Sequence, residues 1–217
     1  MTDRRSTRPR VGLTRAKVLD AALALVDADG LAKLSMRRLG AALGVEAMTL
    51  YHYVPNKDAL LDGLVERVVE LVEWPAPAQG TPWQEWLRAL AVDFRAVLLR
   101  HPAVVPLVAT RPVFEPAGLD AVERALAVLR AAGLTVRQAL HALNTVTTFV
   151  VGHVLAEVGD TPGHEDAATD PAARLADLDG ERYPLLVAAL REGAADDHAD
   201  RFRFALDALV VGFAGVS

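Results

Sequence analysis

The sequence predicts an all-α protein in two parts, and three observations carry that prediction. Apolar residues recur at three- and four-residue intervals along most of the 217 positions, the period of an amphipathic helix. No stretch sustains the alternation of a half-buried strand. Glycine and proline gather in a few joints, above all Trp74-Pro-Ala-Pro-Ala-Gln-Gly-Thr-Pro82, which separates a shorter N-terminal part from a longer C-terminal one.

The elements follow in order. Val18, Ala21, Ala22, Leu25 and Val26 share one face of a helix that Thr14 caps and Gly30 stops. Ser35 caps a short helix from Met36 to Leu43, ended by Gly44. A second short helix runs from Glu46 to Tyr53 and halts at Val54-Pro55. Asn56 caps a longer one, Lys57 to Val72, with an apolar stripe of Leu60, Leu61, Leu64, Val65 and Val68. Beyond the joint come a helix from Trp83 to Arg100, a stretch broken by Pro102, Pro106, Pro112 and Pro116, and a helix from Gly118 to Ala132. The long helix Val136 to Val158 is apolar nearly all round, which predicts burial on several sides. Residues 159–182 are acidic and rich in Gly, Pro and Asp, a predicted loop, and helices over Pro184–Glu192 and Asp197–Ala214 end the chain.

Composition narrows the class. At 52% hydrophobic and 24% charged residues the chain reads as an ordinary soluble globular protein. The absence of cysteine excludes disulfides and thiolate zinc sites. The N-terminal arginines are followed by no apolar signal region. The most apolar run, Thr145 to Val158, is interrupted by Gly152, His153 and Glu157 and falls short of the about 20 residues of a membrane span. A cytoplasmic protein is the expectation. The net charge of −5 conceals an asymmetry: residues 1–60 hold ten basic and six acidic side chains, a balance of +4, so the remainder carries −9. A basic head on an acidic body points to a polyanionic partner at one end.

The segment Ser35 to Pro55 sets two short helices around Gly44, the arrangement of a helix-turn-helix. Leu39, Ala42, Leu43, Val45 and Leu50 are spaced to pack the pair on the first helix. A helix as short as 46–53 is unstable alone. Its remaining residues, Ala47, Met48, Thr49, Tyr51, His52 and Tyr53, include no acid and suit a major groove. Thr49 and Tyr51 match phosphate oxygens, and Ala47 and Met48 match thymine methyls. Arg37 has the reach to pair with a guanine edge, and Lys57 to hold a phosphate.

Residues 13–64 resemble the DNA-binding domain of the tetracycline-repressor (TetR) family. The resemblance rests on Lys17-Val-Leu-Asp-Ala-Ala, Leu43-Gly-Val45, Thr49-Leu-Tyr51 and Asn56-Lys57 with Ala59-Leu-Leu. It implies that Ser35, Arg37, Ala47, Met48, Thr49, Tyr51, His52, Tyr53 and Lys57 touch DNA. It continues through Trp83-Gln-Glu-Trp-Leu-Arg88, Phe94-Arg95, Leu98-Leu99, His101, Thr110-Arg-Pro112, Gly133 and Gly152-x-Val154-Leu155. The implied organisation is a basic flexible arm (1–12), a helix-turn-helix DNA-binding domain (13–73) and a ligand-binding and dimerisation domain (74–217). The implied function is a transcriptional regulator, foremost a repressor released from a palindromic operator by a small molecule.

The resemblance departs where tetracycline repressors grip their drug as a magnesium chelate. Glu73, Leu90 and Leu107 stand at positions of polar groups and an imidazole, and Ala156, beside Glu157, at that of a metal-linked acid. Leucine offers neither hydrogen bonds nor oxygen ligands, so a flatter, more apolar effector is expected. Its predicted lining is Trp86, Leu90, Phe94, Leu107, Leu126, Leu129, His141, Asn144, Thr148 and Glu157, with His141, Asn144 and Thr148 forming a polar stripe on one helix face. His101 and His153 are read as structural, neither with a metal-ligand partner at helical spacing. No metal, cofactor or catalytic residue is predicted. Val150, Val151, Val154, Leu155, Phe204, Leu206, Leu209, Val210 and Phe213 supply surplus apolar surface for a homodimer. The alternatives are an enzyme, against which the lack of a phosphate loop or nucleophile elbow argues, and a ligand-binding protein with a non-functional DNA head.

Overall fold

The structure, a computed structural model, describes residues 12–75, 81–111, 116–159, 178–192 and 198–215. Arg4, Arg5, Arg8 and Arg10 of the basic arm, and most of the acidic 159–182 stretch, lie outside the described residues. Among the described residues every regular element is helical. The chain divides into two compact units, Met1–Trp74 with Ala96–Arg124, and Pro75–Arg95 with Ala125–Ser217.

In the first unit, α1 (Arg15–Asp29), α2 (Met36–Leu43) and α4 (Lys57–Glu70) start at the caps expected of them, and α3 (Ala47–Leu50) follows α2 without a side-chain cap. The side chains of Thr14, Ser35 and Asn56 accept hydrogen bonds from the backbone N–H of Lys17, Arg38 and Ala59, satisfying donors that a helix start leaves open. Gly44 ends α2 at φ 68°, the left-handed conformation in which a Cβ is costly. The buried row of α1 is Val18, Leu19, Ala22, Leu23 and Val26. It is shifted from the predicted stripe, with Leu19 and Leu23 buried and Ala21 and Leu25 only half-buried, as α2 and α4 both pack on α1. Leu39 and Leu50 are fully buried, but Ala42 is exposed. In its stead Gly40 is buried, where an added Cβ would lie 2.8 Å from the carbonyl oxygen of Val45. Two helices cross tightly there, and side-chain volume is excluded.

The predicted broken stretch after Arg100 contains a helix. Pro102 opens a short 3-10 turn and Pro106 stands in the first turn of α6 (Val105–Thr110). Both prolines occupy positions whose missing N–H has no intrahelical acceptor to lose. The turn packs on α1 and α6 on α4.

Two helices pass from one unit to the other, α5 (Trp83–Arg100) and α7 (Pro116–Ala131). The second unit adds α8 (Val136–Val158), α9 (Pro184–Arg191) and α10 (His198–Gly215). Thr135 and Gln138 close a reciprocal capping box at the start of α8. By length and composition alone α8 is apolar enough to cross a membrane, a test that the core helix of a globular protein also passes. It buries a single row, Ala139, Ala142, Leu143, Val146, Val150 and Val154, and packs on α10. The expected burial on several sides is therefore not met within one chain, where Val136, Leu140 and Leu155 face outward.

Candidate nucleic-acid interface and effector region

The first unit builds a platform for a very short helix. α3 has four residues, and Tyr51 to Tyr53 form a turn beyond it rather than the helical end expected from the sequence. Leu50, fully buried, anchors α3 to the scaffold, while Val54 is 1% exposed and pins the exit. Between these anchors Met48 is 71% exposed and Tyr51 40%, with His52 open to solvent and Ala47, Thr49 and Tyr53 half-buried. Arg37 on α2 and Lys57 at the first position of α4 are exposed and have no charge partner among the described residues. Their neighbour Arg38 differs. It is tied to Asp29 at 2.5 Å, which locks α2 to the end of α1. Ser35 is a structural cap, its Oγ 3.3 Å from the Arg38 nitrogen.

Three contacts brace this platform. Arg15 Nη1 approaches Glu66 Oε2 at 2.6 Å, joining α1 to α4 at a carboxylate that is 8% exposed. His101 Nδ1 lies 2.9 Å from Asp27 Oδ2, so His101 is structural as expected. Arg111, just past α6, reaches both Asp62 and Asp58 of α4 at 2.5 and 3.2 Å.

The predicted effector residues are distributed over both units. Trp86, Leu90, Phe94 and Leu129 are buried in the second unit, Leu126 is half-buried there, and Leu107 is buried in the first. Trp86 donates its indole N–H to the carbonyl of Pro75 at 2.7 Å. His141, Asn144 and Thr148 keep to one face of α8, but that face is exposed rather than enclosed by apolar neighbours. Glu157 is already engaged: Arg95 holds it with Nη2 2.6 Å from Oε1 and Nε 3.0 Å from Oε2. Their separation of 62 residues hid this pair from local pattern. A cavity of about 240 Å³ in the first unit is lined by Val69 and Glu70 at the end of α4, by Trp74 beyond it, and by Ala117, Asp120, Ala121 and Arg124 on α7. None of the predicted effector residues lines it.

His153 departs from one part of the sequence reading, which gave it no metal-ligand partner at helical spacing. Glu157 follows it at helical spacing, with Nε2 and Oε2 3.9 Å apart, and His198 of α10 closes a cluster whose ligand atoms lie within 4.8 Å of one another. The i,i+4 relation was visible in the sequence; the histidine from the second helix was not. Of the dimerisation residues, Val150, Val154, Leu206 and Val210 are consumed by the chain's own core, whereas Leu155 and Phe204 remain exposed.

A buried three-helix scaffold that presents an exposed face without acids, flanked by Arg37 and Lys57, defines a helix-turn-helix DNA-binding regulator. The comparisons agree. Residues 18–64 match the family described as bacterial regulatory proteins, tetR family, and residues 75–216 match the tetracyclin repressor-like C-terminal domain. The chain belongs to the tetracycline-repressor family of transcriptional regulators. It is 39% identical to the class D tetracycline repressor protein of Escherichia coli, covering 93% of this chain and 89% of that one. It is 34% identical to the HTH-type transcriptional repressor DrrR1 of Streptomyces coeruleorubidus, covering 97% and 81%. The solved structure of the Streptomyces coelicolor TetR family protein ActR in complex with actinorhodin superposes with a TM-score of 0.80 at 30% identity, covering 94% and 98%.

Proposed function

We propose that this chain is a cytoplasmic homodimer that represses from a palindromic operator and is released by a small, largely apolar effector. The observation that carries the operator reading is the exposure of Met48 and Tyr51 on an element too short to persist without its scaffold. Such apolar exposure on a basic head has a use when it meets base edges and thymine methyls. Ala47, Met48, Thr49, Tyr51, His52 and Tyr53 read and position, Arg37 addresses a base edge, and Lys57 holds a phosphate. Ser35 acts by shaping α2.

The outward face of α8 and α10 offers Leu155, Phe204 and Val211 to a second copy. An isologous pair sets two heads about 34–36 Å apart, one turn of DNA. Buried Leu90 and Leu107, in place of hydrogen-bonding groups, favour an apolar effector over a magnesium chelate. The actinorhodin bound by the S. coelicolor relative supplies the first compound to try. Family membership makes catalysis no part of this reading.

Selection of DNA from a random pool at near-physiological salt tests it. Enrichment of a palindrome with half-sites one turn apart, followed by its release with actinorhodin and not with magnesium–tetracycline, is the expected result. Retention without sequence preference would overturn the operator reading. Release by the chelate alone would overturn the effector class.

A further inference from the structure

We propose that His153, Glu157 and His198 form a binding site for a divalent transition-metal ion, away from the exposed face of α3. His153 and Glu157 project from successive turns of α8, and His198 is the first residue of α10. Their ligand atoms lie within 4.8 Å of one another, and all three residues are half-buried, open enough for an ion to enter.

Two imidazoles and one carboxylate are the donors of zinc, nickel, cobalt and copper sites, not of magnesium or calcium, which take oxygen. Bonds of about 2.0–2.1 Å around a tetrahedral ion bring such donors to about 3.4 Å from one another. The present spacing needs side-chain rotations of about an ångström.

The surroundings suit that role. Arg95 holds both carboxylate oxygens, with Nη2 2.6 Å from Oε1 and with Nη2 and Nε 2.7 and 3.0 Å from Oε2; ligation through Oε2 exchanges the latter two bonds for the ion and keeps the bond to Oε1. This hydrogen bond behind a ligating carboxylate is the outer support such sites use. The His153 ring is held between Phe149 and Phe202, centroids 5.6 and 5.2 Å away. In the ion-free state its Nε2–H donates to the His198 carbonyl at 2.9 Å. Ligation through Nε2 replaces that bond and leaves the ring proton on Nδ1, so the imidazole stays neutral. Arg201 Nη2, 3.2 Å from His198 Nδ1, must swing toward solvent, which its exposure allows. An ion at this site would tie the start of α10 to the last turns of α8.

The test uses tag-free, full-length protein stripped with chelator and titrated with cobalt(II). The expected result is visible absorption of a low-coordinate cobalt site at one ion per chain, displaced by zinc and unaffected by magnesium. His198→Ala should weaken cobalt binding by about 100-fold or more, since loss of an outer partner alone costs 10–100-fold. His153→Gln, which keeps a polar side chain of similar reach, should do the same, with helical circular dichroism unchanged in both. His141→Ala, on the exposed face of the same helix, should bind as the parent does. Absorption no different from free cobalt, or equal binding by the parent and His198→Ala, would overturn the site. The outcome is independent of operator binding, so neither reading falls with the other.

Discussion

Arg111 and Asp62, 49 residues apart in sequence, meet with Nη1 2.5 Å from Oδ1, and the same guanidinium reaches Asp58 one turn earlier on α4. The hydrogen bond to Asp62 is the main reason the Arg111 pKa is raised above its ordinary value. The two acids lie on the helix whose first residue is Lys57, so a movement of α6 reaches the DNA-reading end through charge-assisted bonds as well as packing. Arg111→Ala is expected to keep operator affinity within about fivefold, because exposed ion pairs are worth about 0–1 kcal/mol. Its effector-induced loss of affinity should shrink by about tenfold, within the usual coupling of 1–3 kcal/mol. Fluorescence anisotropy with labelled operator, with and without effector, reads both quantities. Undiminished release by the variant would remove Arg111 from the coupling.

Arg37 and Lys57 are both exposed cations, yet they should fail differently. Lys57→Ala is expected to weaken binding on all sequences and to lower the slope of log K against log salt by about one. Arg37→Ala should cost about 1–3 kcal/mol on the operator and relax preference at one base pair. Titrations at several salt concentrations on operator and scrambled DNA separate the two. Equal losses on both DNAs for Arg37→Ala would make it a phosphate contact.

Gly40 and Gly63 offer a paired test of packing. A Cβ at Gly63 would lie 2.5 Å from Leu19 Cδ2, the end of a side chain that has rotamers to change. At Gly40 it would meet the Val45 carbonyl oxygen at 2.8 Å and the backbone nitrogen of Ala47 at 3.2 Å, neither free to move. Alanine gains about 1 kcal/mol of helix propensity at either site, against an overpacking cost of about 1–3 kcal/mol. Gly40→Ala should therefore be the more destabilising in urea unfolding, and operator binding should fall with it. The reverse order would mean that the α2–α3 crossing is softer than its geometry indicates.

What the sequence disclosed was local. Thr14, Ser35 and Asn56 announce helix starts because capping is a contact over three residues, and Gly44 announces a stop because its φ is positive. α6 stayed hidden because prolines that open a helix and prolines that end one are the same residue in a sequence. The exposure of Met48, Tyr51 and His52 suits the acid-free face expected between Ala47 and Tyr53, although the helix proved half as long as its pattern suggested. Contacts spanning the chain, Arg95 to Glu157 and His153 to His198, follow from tertiary packing of α5 and α10 on α8, which no local period encodes.

Phe204 is 80% exposed on α10, an unusual position for an aromatic ring on a soluble surface. If it faces a second copy, Phe204→Glu should convert a dimer to a monomer in sedimentation equilibrium, with helical content retained. Operator affinity should then fall steeply, since one head alone contacts one half-site. A dimer that persists unchanged would place the two-fold elsewhere on the surface.

His153 gives stability a pH dependence whose sign can be worked out. Desolvation is the largest influence and lowers its pKa below the ordinary 6.5; Arg95 and His198 also lower it, while the His198 carbonyl and the Glu157 charge oppose them. The folded protein thus binds this proton less readily than the unfolded chain does. Linkage makes the neutral ring's contribution fully present above about pH 6.5 and progressively lost as the pH falls toward the lowered native value. Metal-free protein should show a lower urea midpoint at pH 5.5 than at pH 7.5. His153→Asn, which has no proton to gain, should show a smaller drop between the same pH values, and the difference between the two drops isolates this ring from the carboxylates. Equal drops in parent and variant would mean that His153 protonates as easily folded as unfolded, and that Phe149, Phe202 and Arg95 do not hold it neutral.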